Sequence, residues 1–117
     1  MRRIAALFVL LSFSLPALFA NDDQFAAALE QVKAAEQNIE LLEDQHGPFA
    51  PELFDPLMSL AQLHFSHGNL EESEDTLRRA QNIVHRNEGV YSPLQLDIIE
   101  HLADIALLND EFRDAED

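Results

Sequence analysis

Apolar side chains recur through most of the chain at the three- and four-residue spacing of amphipathic helices. After Asp22 no stretch alternates as a strand would, and no Asn-Gly or Asp-Gly hairpin turn occurs. Four stripes stand out. Phe25, Leu29, Val32, Ala35, Ile39 and Leu42 form the first, in a segment starting near Asn21-Asp22-Asp23, where short polar side chains suit a helix cap. Leu53, Leu57, Leu60, Ala61 and His64 form the second. Leu70, Leu77, Ala80 and Val84 form the third, lined by Ser73 and Thr76. Ile98, Ile99, Leu102, Ala103, Ile105 and Ala106 form the fourth. Between them lie Gly47-Pro48-Phe49-Ala50-Pro51, Gly68-Asn69 and Gly89-Val90-Tyr91-Ser92-Pro93. Glycine closes a helix and proline opens the next. The pattern predicts helices over roughly 23–45, 52–67, 70–87 and 94–109.

Sliding the chain against itself by 42 residues brings Gly47 onto Gly89, Phe49 onto Tyr91, Pro51 onto Pro93, Asp55 onto Asp97 and Leu60-Ala61 onto Leu102-Ala103. Seven of the 29 positions in 47–75 are identical to their mates in 89–117. Chance gives about two at ordinary amino-acid usage. Many of the other pairs exchange one apolar or small residue for another, as Leu57 for Ile99 and Leu63 for Ile105. The repeating unit is a helix pair, with helix A over about 52–67 and helix B over about 70–87. The helix over 23–45 takes the place of a preceding helix B. Stacked helix pairs of this kind form an α-solenoid.

Residues 54–87 resemble a tetratricopeptide repeat. On helix A the family has a large apolar residue, then Leu-Ala, then an aromatic; here these places hold Leu57, Leu60-Ala61 and His64, with Phe65 adjacent. The inter-helix turn reads Gly68-Asn69-Leu70, and Ser73, Leu77 and Ala80 match the small and apolar places of helix B. The second copy supplies Leu102-Ala103, Asp110-Glu111-Phe112 and Ala115. The period of 42 departs from the usual 34 and resembles the longer variety of the repeat. His64 replaces an aromatic, Asp110 replaces the turn glycine, and the closing proline is missing near His85. The resemblance implies an all-α fold of antiparallel helix pairs stacked as a right-handed solenoid. It also implies binding of another protein, without catalysis, on a concave face lined by helix A. By position that face carries Asp55, Met58, Gln62, Phe65, Asp97, Glu100, Asp104 and Leu107 as candidate partner contacts.

Charge narrows the partner. The chain holds 22 Asp+Glu and 7 Lys+Arg, for a net charge of −15. Arg2 and Arg3 are the only charges before Asp22, so the rest is more acidic still. Such a surface repels nucleic acid and anionic lipid and suits a basic protein or peptide. Met1-Arg2-Arg3, an apolar run from Ile4 to Leu15, Pro16 and Ala17-Leu18-Phe19-Ala20 follow the layout of a secretory signal peptide. The expected division is a signal peptide over 1–20, cleaved after Ala20, and a repeat domain over 21–117, exported to a periplasm or secreted. The apolar run is short of the roughly 20 residues that cross a bilayer, so no stable membrane span is expected after cleavage.

The chemistry of sites adds little. The chain has no Cys, no Gly-x-Ser-x-Gly, no phosphate-cradling glycine loop and no His-Glu-x-x-His. His64 and His67 are three apart, within reach of one ion on a helix, but His64 sits at a packing position. No metal, cofactor or catalytic residue is expected. Arg78 and Arg79 lie four after Glu74 and Asp75, the spacing of helix-surface ion pairs. Phe49 and Tyr91 are expected to pin the inter-repeat loops onto the next helix. Residues 112–117 match only the first turns of helix B, so the second repeat, about 94–117, reads as incomplete. Leu102, Ile105 and Leu108 are then expected to lack part of their cover. Self-association through this end is one consequence. The alternative is a structural N-terminal fragment of a longer repeat protein, with or without a catalytic domain downstream.

Overall fold

The computed structural model describes residues 16–116. Among them every regular element is helical: α1 (Pro16–His46), a 3-10 turn (Pro51–Leu53), α2 (Phe54–Ser66), α3 (Leu70–Glu88) and α4 (Leu94–Glu116). The all-α expectation is met. The chain divides into two units, residues 1–30 and 31–117.

In the first unit residues 16–30 are continuous helix, with Phe25 and Leu29 exposed. The helix expected to begin near residue 23 therefore runs through Asn21-Asp22-Asp23 from Pro16. Its upstream Ala17-Leu18-Phe19-Ala20 consists of residues that helices accept, so the capping cluster is overridden. Most of the expected signal peptide, residues 1–15, lies outside the described residues, and the expected cleavage point after Ala20 falls within α1.

The second unit holds the core. Ile39 of α1 is buried, with Val32, Ala35 and Leu42 half-buried around it. The second stripe is buried in full: Leu53, Leu57, Leu60, Ala61 and His64. Leu77, Ala80 and Val84 of α3 are buried as the third stripe predicts, joined by Ile83. The α2–α3 contact is the most extensive between helices, followed by α3–α4. At its centre Ser73 Oγ donates a buried hydrogen bond of 2.8 Å to the Ala61 carbonyl. Only small residues at both places allow that approach. Gly68, in the turn between α2 and α3, takes φ +77°, a region other residues resist.

The 42-residue offset reappears in the backbone. Gly47 N–H donates to the Glu43 carbonyl and Gly89 N–H to the His85 carbonyl. Ala50 donates to Gly47 as Ser92 does to Gly89, and Leu53 to Ala50 as Gln95 does to Ser92. Gly47 and Gly89 take φ of +95° and +88°. The two inter-helix loops are thus the same structure built twice.

Four expectations are corrected. First, the break near residues 109–112 is absent, and α4 continues through Asp110-Glu111-Phe112 to Glu116. Asp110 lacks the freedom of its mate Gly68 to take positive φ, and its carboxylate accepts a 2.8 Å bond from Arg113 one turn on, which supports helix. Second, α4 buries Ile98 and Ile105, with Leu102 and Leu108 half-buried, while Ile99, Ala103 and Ala106 are exposed. Leu102 and Leu108 thus lack part of their cover as expected, but Ile105 does not, because α3 lies over the Ile98–Ile105 side and the most exposed apolar row is that of Ile99, Ala103 and Ala106. Third, Arg78 pairs with Glu74 at 3.3 Å as its spacing suggests, but Arg79 reaches Glu43 of α1 at 2.8 Å instead of Asp75. Fourth, Tyr91 is 97% exposed and pins nothing. Phe49 is held differently: the Arg86 guanidinium stacks 3.9 Å from its ring centroid, and Asn87 Nδ2 donates to its carbonyl.

Two substitutions test this core. Leu77→Ala removes a side chain that is 1% exposed and is expected to lower stability by about 2–5 kcal/mol in urea unfolding. A loss under about 1 kcal/mol would place Leu77 outside the cooperative core. His64 is buried and its Nδ1 has no hydrogen-bond partner among the described residues. Leaving such an atom dry costs about 1–3 kcal/mol, so His64→Phe is expected to raise stability by about 1 kcal/mol in the same assay. A net loss would show that the pocket has no room for the larger ring.

Candidate functional site

The outward side of α2 and the near side of α4 border an open cleft of about 570 Å³. Met58, Ser59, Gln62 and Ser66 recur along α2 at helical spacing and form one wall, with Leu63 at its edge. His101 of α4 closes the other side. Beneath the cleft Ala61, Phe65, Ser73 and Leu77 pack closely under Gln62 and His101 and leave no room for a water molecule. The floor is therefore fixed by the same Ala61–Ser73 contact that joins α2 to α3.

The eight candidate residues fall on three surfaces. Met58 and Gln62 share the cleft, and half-buried Phe65 belongs to its floor. Asp97, Glu100, Asp104 and Leu107 stand exposed along α4. Asp97 lies four residues before His101 and Asp104 three after it, so both carboxylates project one turn to either side of the imidazole on one helix face. They lie beside His101 on α4 and outside the lining of the cleft, and none of Asp97, Glu100 and Asp104 takes part in an ion pair among the described residues. Asp55 is placed elsewhere: it lines a separate hollow of about 270 Å³ with Phe54, Asn87, Glu88 and Leu94.

The cleft is thus neutral and largely apolar along α2 and closed by His101 on α4, with Asp97 and Asp104 one turn to either side of that histidine. It offers thioether, amide and hydroxyl groups to a side chain, and the neighbouring carboxylates are open to a cation. Three or more His, Asp or Glu side chains positioned to share a metal ion are not found among the described residues. Helical spacing puts His101 on the same face of α4 as Asp97 and Asp104, and His101 was not among the candidate contacts. Its importance follows from its position opposite Met58 and Gln62, which sequence spacing cannot reveal across 40 residues. Arg86 and Asn87, which hold the loop at Phe49, were not singled out in the sequence either; a basic residue and an amide in the last turn of a helix B are the only local signal.

Compared with protein-family models, curated proteins and solved structures, the chain matches none.

Proposed function

We propose that residues 21–117 form a non-catalytic protein-binding module of tetratricopeptide type, exported from the cell, which takes an extended basic peptide or protein segment on the face shared by α2 and α4. In this reading α2 and α3 are an antiparallel pair, α4 is the first helix of the next pair, and the pairs stack as a right-handed solenoid. The observation that carries the reading is the cleft itself: Met58 and Gln62 face His101, with Asp97 and Asp104 flanking that histidine. An apolar wall beside unpaired carboxylates fits a segment that alternates apolar residues with Lys or Arg. Support for the repeat comes from the loop hydrogen bonds that recur at 42 residues. The leader layout of the first twenty residues supports export.

Selection from a displayed library of random dodecapeptides tests the proposal. Recovered sequences are expected to be rich in Lys and Arg interleaved with apolar residues. The triple variant Asp97→Lys, Glu100→Lys, Asp104→Lys is expected to weaken binding of the best peptide at least tenfold, and added salt to weaken binding to the parent chain. All three side chains are exposed, so folding should be unaffected. Equal affinity of parent and triple variant would overturn Asp97, Glu100 and Asp104 as the recognition element.

A further inference from the structure

The hollow of about 270 Å³ that holds Asp55 opens where the start of α2, the end of α3 and the start of α4 come together. Its apolar lining includes Phe54, Leu94 and the core residues Ile83 and Val84, which are 1% and 2% exposed. The base is therefore as fixed as the core. Its polar lining is Asp55, Asn87 and Glu88.

These three side chains have acceptors to offer and no donor to spare. Asn87 Nδ2 donates to the carbonyls of Phe49 and Ile83, which uses both amide hydrogens and leaves Oδ1. The buried Ser92 hydroxyl donates to Glu88 Oε2 and accepts from the Leu94 N–H, so it fixes that carboxylate with Oε1 to spare. Neither Asp55 nor Glu88 forms an ion pair among the described residues. Arg86, two residues before Glu88, is committed to Asn82 and to the ring of Phe49.

Glu88 also breaks a local rule. It is the last residue of α3, where the free carbonyls already gather negative charge. The rest of α3 obeys the rule, with Glu71 and Glu72 in the first turn and His85 and Arg86 in the last. Ser92 answers Glu88 with a neutral donor only, so a cation in the hollow would supply the missing charge. An ammonium group is the complement of this lining, with three rotatable donors and no acceptor. A guanidinium is less suited, because its rigid fork matches one carboxylate and the acceptors here are spread over three side chains. A calcium ion would seek about six oxygens and gain nothing from Phe54 or Leu94. Those apolar walls suit an alkyl stem, and the volume lies just below the roughly 300 Å³ at which pockets for larger ligands begin.

We propose that this hollow binds a primary alkylammonium group, held by Asp55, Asn87 and Glu88 with its stem against Phe54 and Leu94. The lysine side chain of a protein and a free linear amine share this chemistry. The inference is independent of what the α2–α4 cleft binds.

Titration of n-butylammonium into the nitrogen-15-labelled full chain at constant ionic strength tests it. The Asn87 side-chain amide and the Leu94 backbone amide are expected to shift saturably. Methylammonium, which lacks the stem, and n-butanol, which lacks the charge, are each expected to bind at least fivefold more weakly. Asp55→Asn and Glu88→Gln, both at exposed positions, are each expected to weaken n-butylammonium at least fivefold with an unchanged circular dichroism spectrum. Shifts that do not saturate, equal binding of either control, or unchanged affinity in either variant overturns the proposal. Lysine blocked at both backbone ends, by acetyl and methylamide groups, distinguishes the two sources. Affinity equal to that of n-butylammonium makes a protein's lysine the ligand, and affinity at least fivefold weaker makes it a free amine; both results uphold the shared chemistry.

Discussion

The close seating of α3 on α2 at Ala61 is the contact on which the second unit depends. Ser73 can donate to a carbonyl inside α2 only because neither helix carries bulk at that point. Once the seat is made, the positions that follow along α3 are determined by helical spacing. Leu77, Ala80, Ile83 and Val84 enter the core, Arg79 reaches Glu43 on α1, and Arg86 and Asn87 reach the loop at Phe49. One helix thereby touches every other element of the unit. The neutral buried contacts carry this arrangement. The Arg79–Glu43 pair is more than one-third exposed on both sides and adds little in water.

Much of this was legible in the sequence where a single pattern had a single physical solution. Leu53, Leu57, Leu60, Ala61 and His64 share one face of a short helix bounded by Pro51 and Gly68, and all five are buried. The loops were legible because glycine at positive φ followed by proline leaves few backbone choices, and both copies take the same one. What could not be read depends on neighbours remote in the chain. Arg79 has carboxylates at Asp75 and at Glu43, and only the tertiary fold brings the second nearer. Phe49 and Tyr91 look equivalent in sequence, yet Arg86 covers one and no described residue does the same for the other.

The candidate cleft shows the same division. Helical periodicity assigns Met58 and Gln62 to one side of α2 and Asp97, Glu100 and Asp104 to one side of α4. It does not say that Met58 and Gln62 meet His101, nor that Asp55 turns toward Asn87 and Leu94 instead. Those facts come from the crossing of α2 and α4 over α3. Because the floor of the cleft is the packed Ala61–Ser73–Leu77 contact, the cleft has the rigidity of the core beneath it. A ligand meeting it would lose little free energy to ordering the protein.

Helix α4 explains why its own burial was the hardest feature to read. Apolar residues nearly encircle its first four turns: Ile98 and Ile105 inward, Leu102 at the edge, Ile99, Ala103 and Ala106 outward. Periodicity cannot choose a buried side when so much of the circumference is apolar. The one sector without apolar residues in these turns is that of Asp97, Glu100 and Asp104, so water is guaranteed only there. Burial in this protein is therefore a property of the neighbour and not of the stripe: Leu57 and Ile99 occupy equivalent places, and α3 is the whole difference between them. The charged sector of α4 also neighbours His101, the one residue of this helix that lines the cleft. The acidity of the molecule at this point thus occupies the one sector that packing leaves alone, while the apolar sectors on either side of it answer to packing.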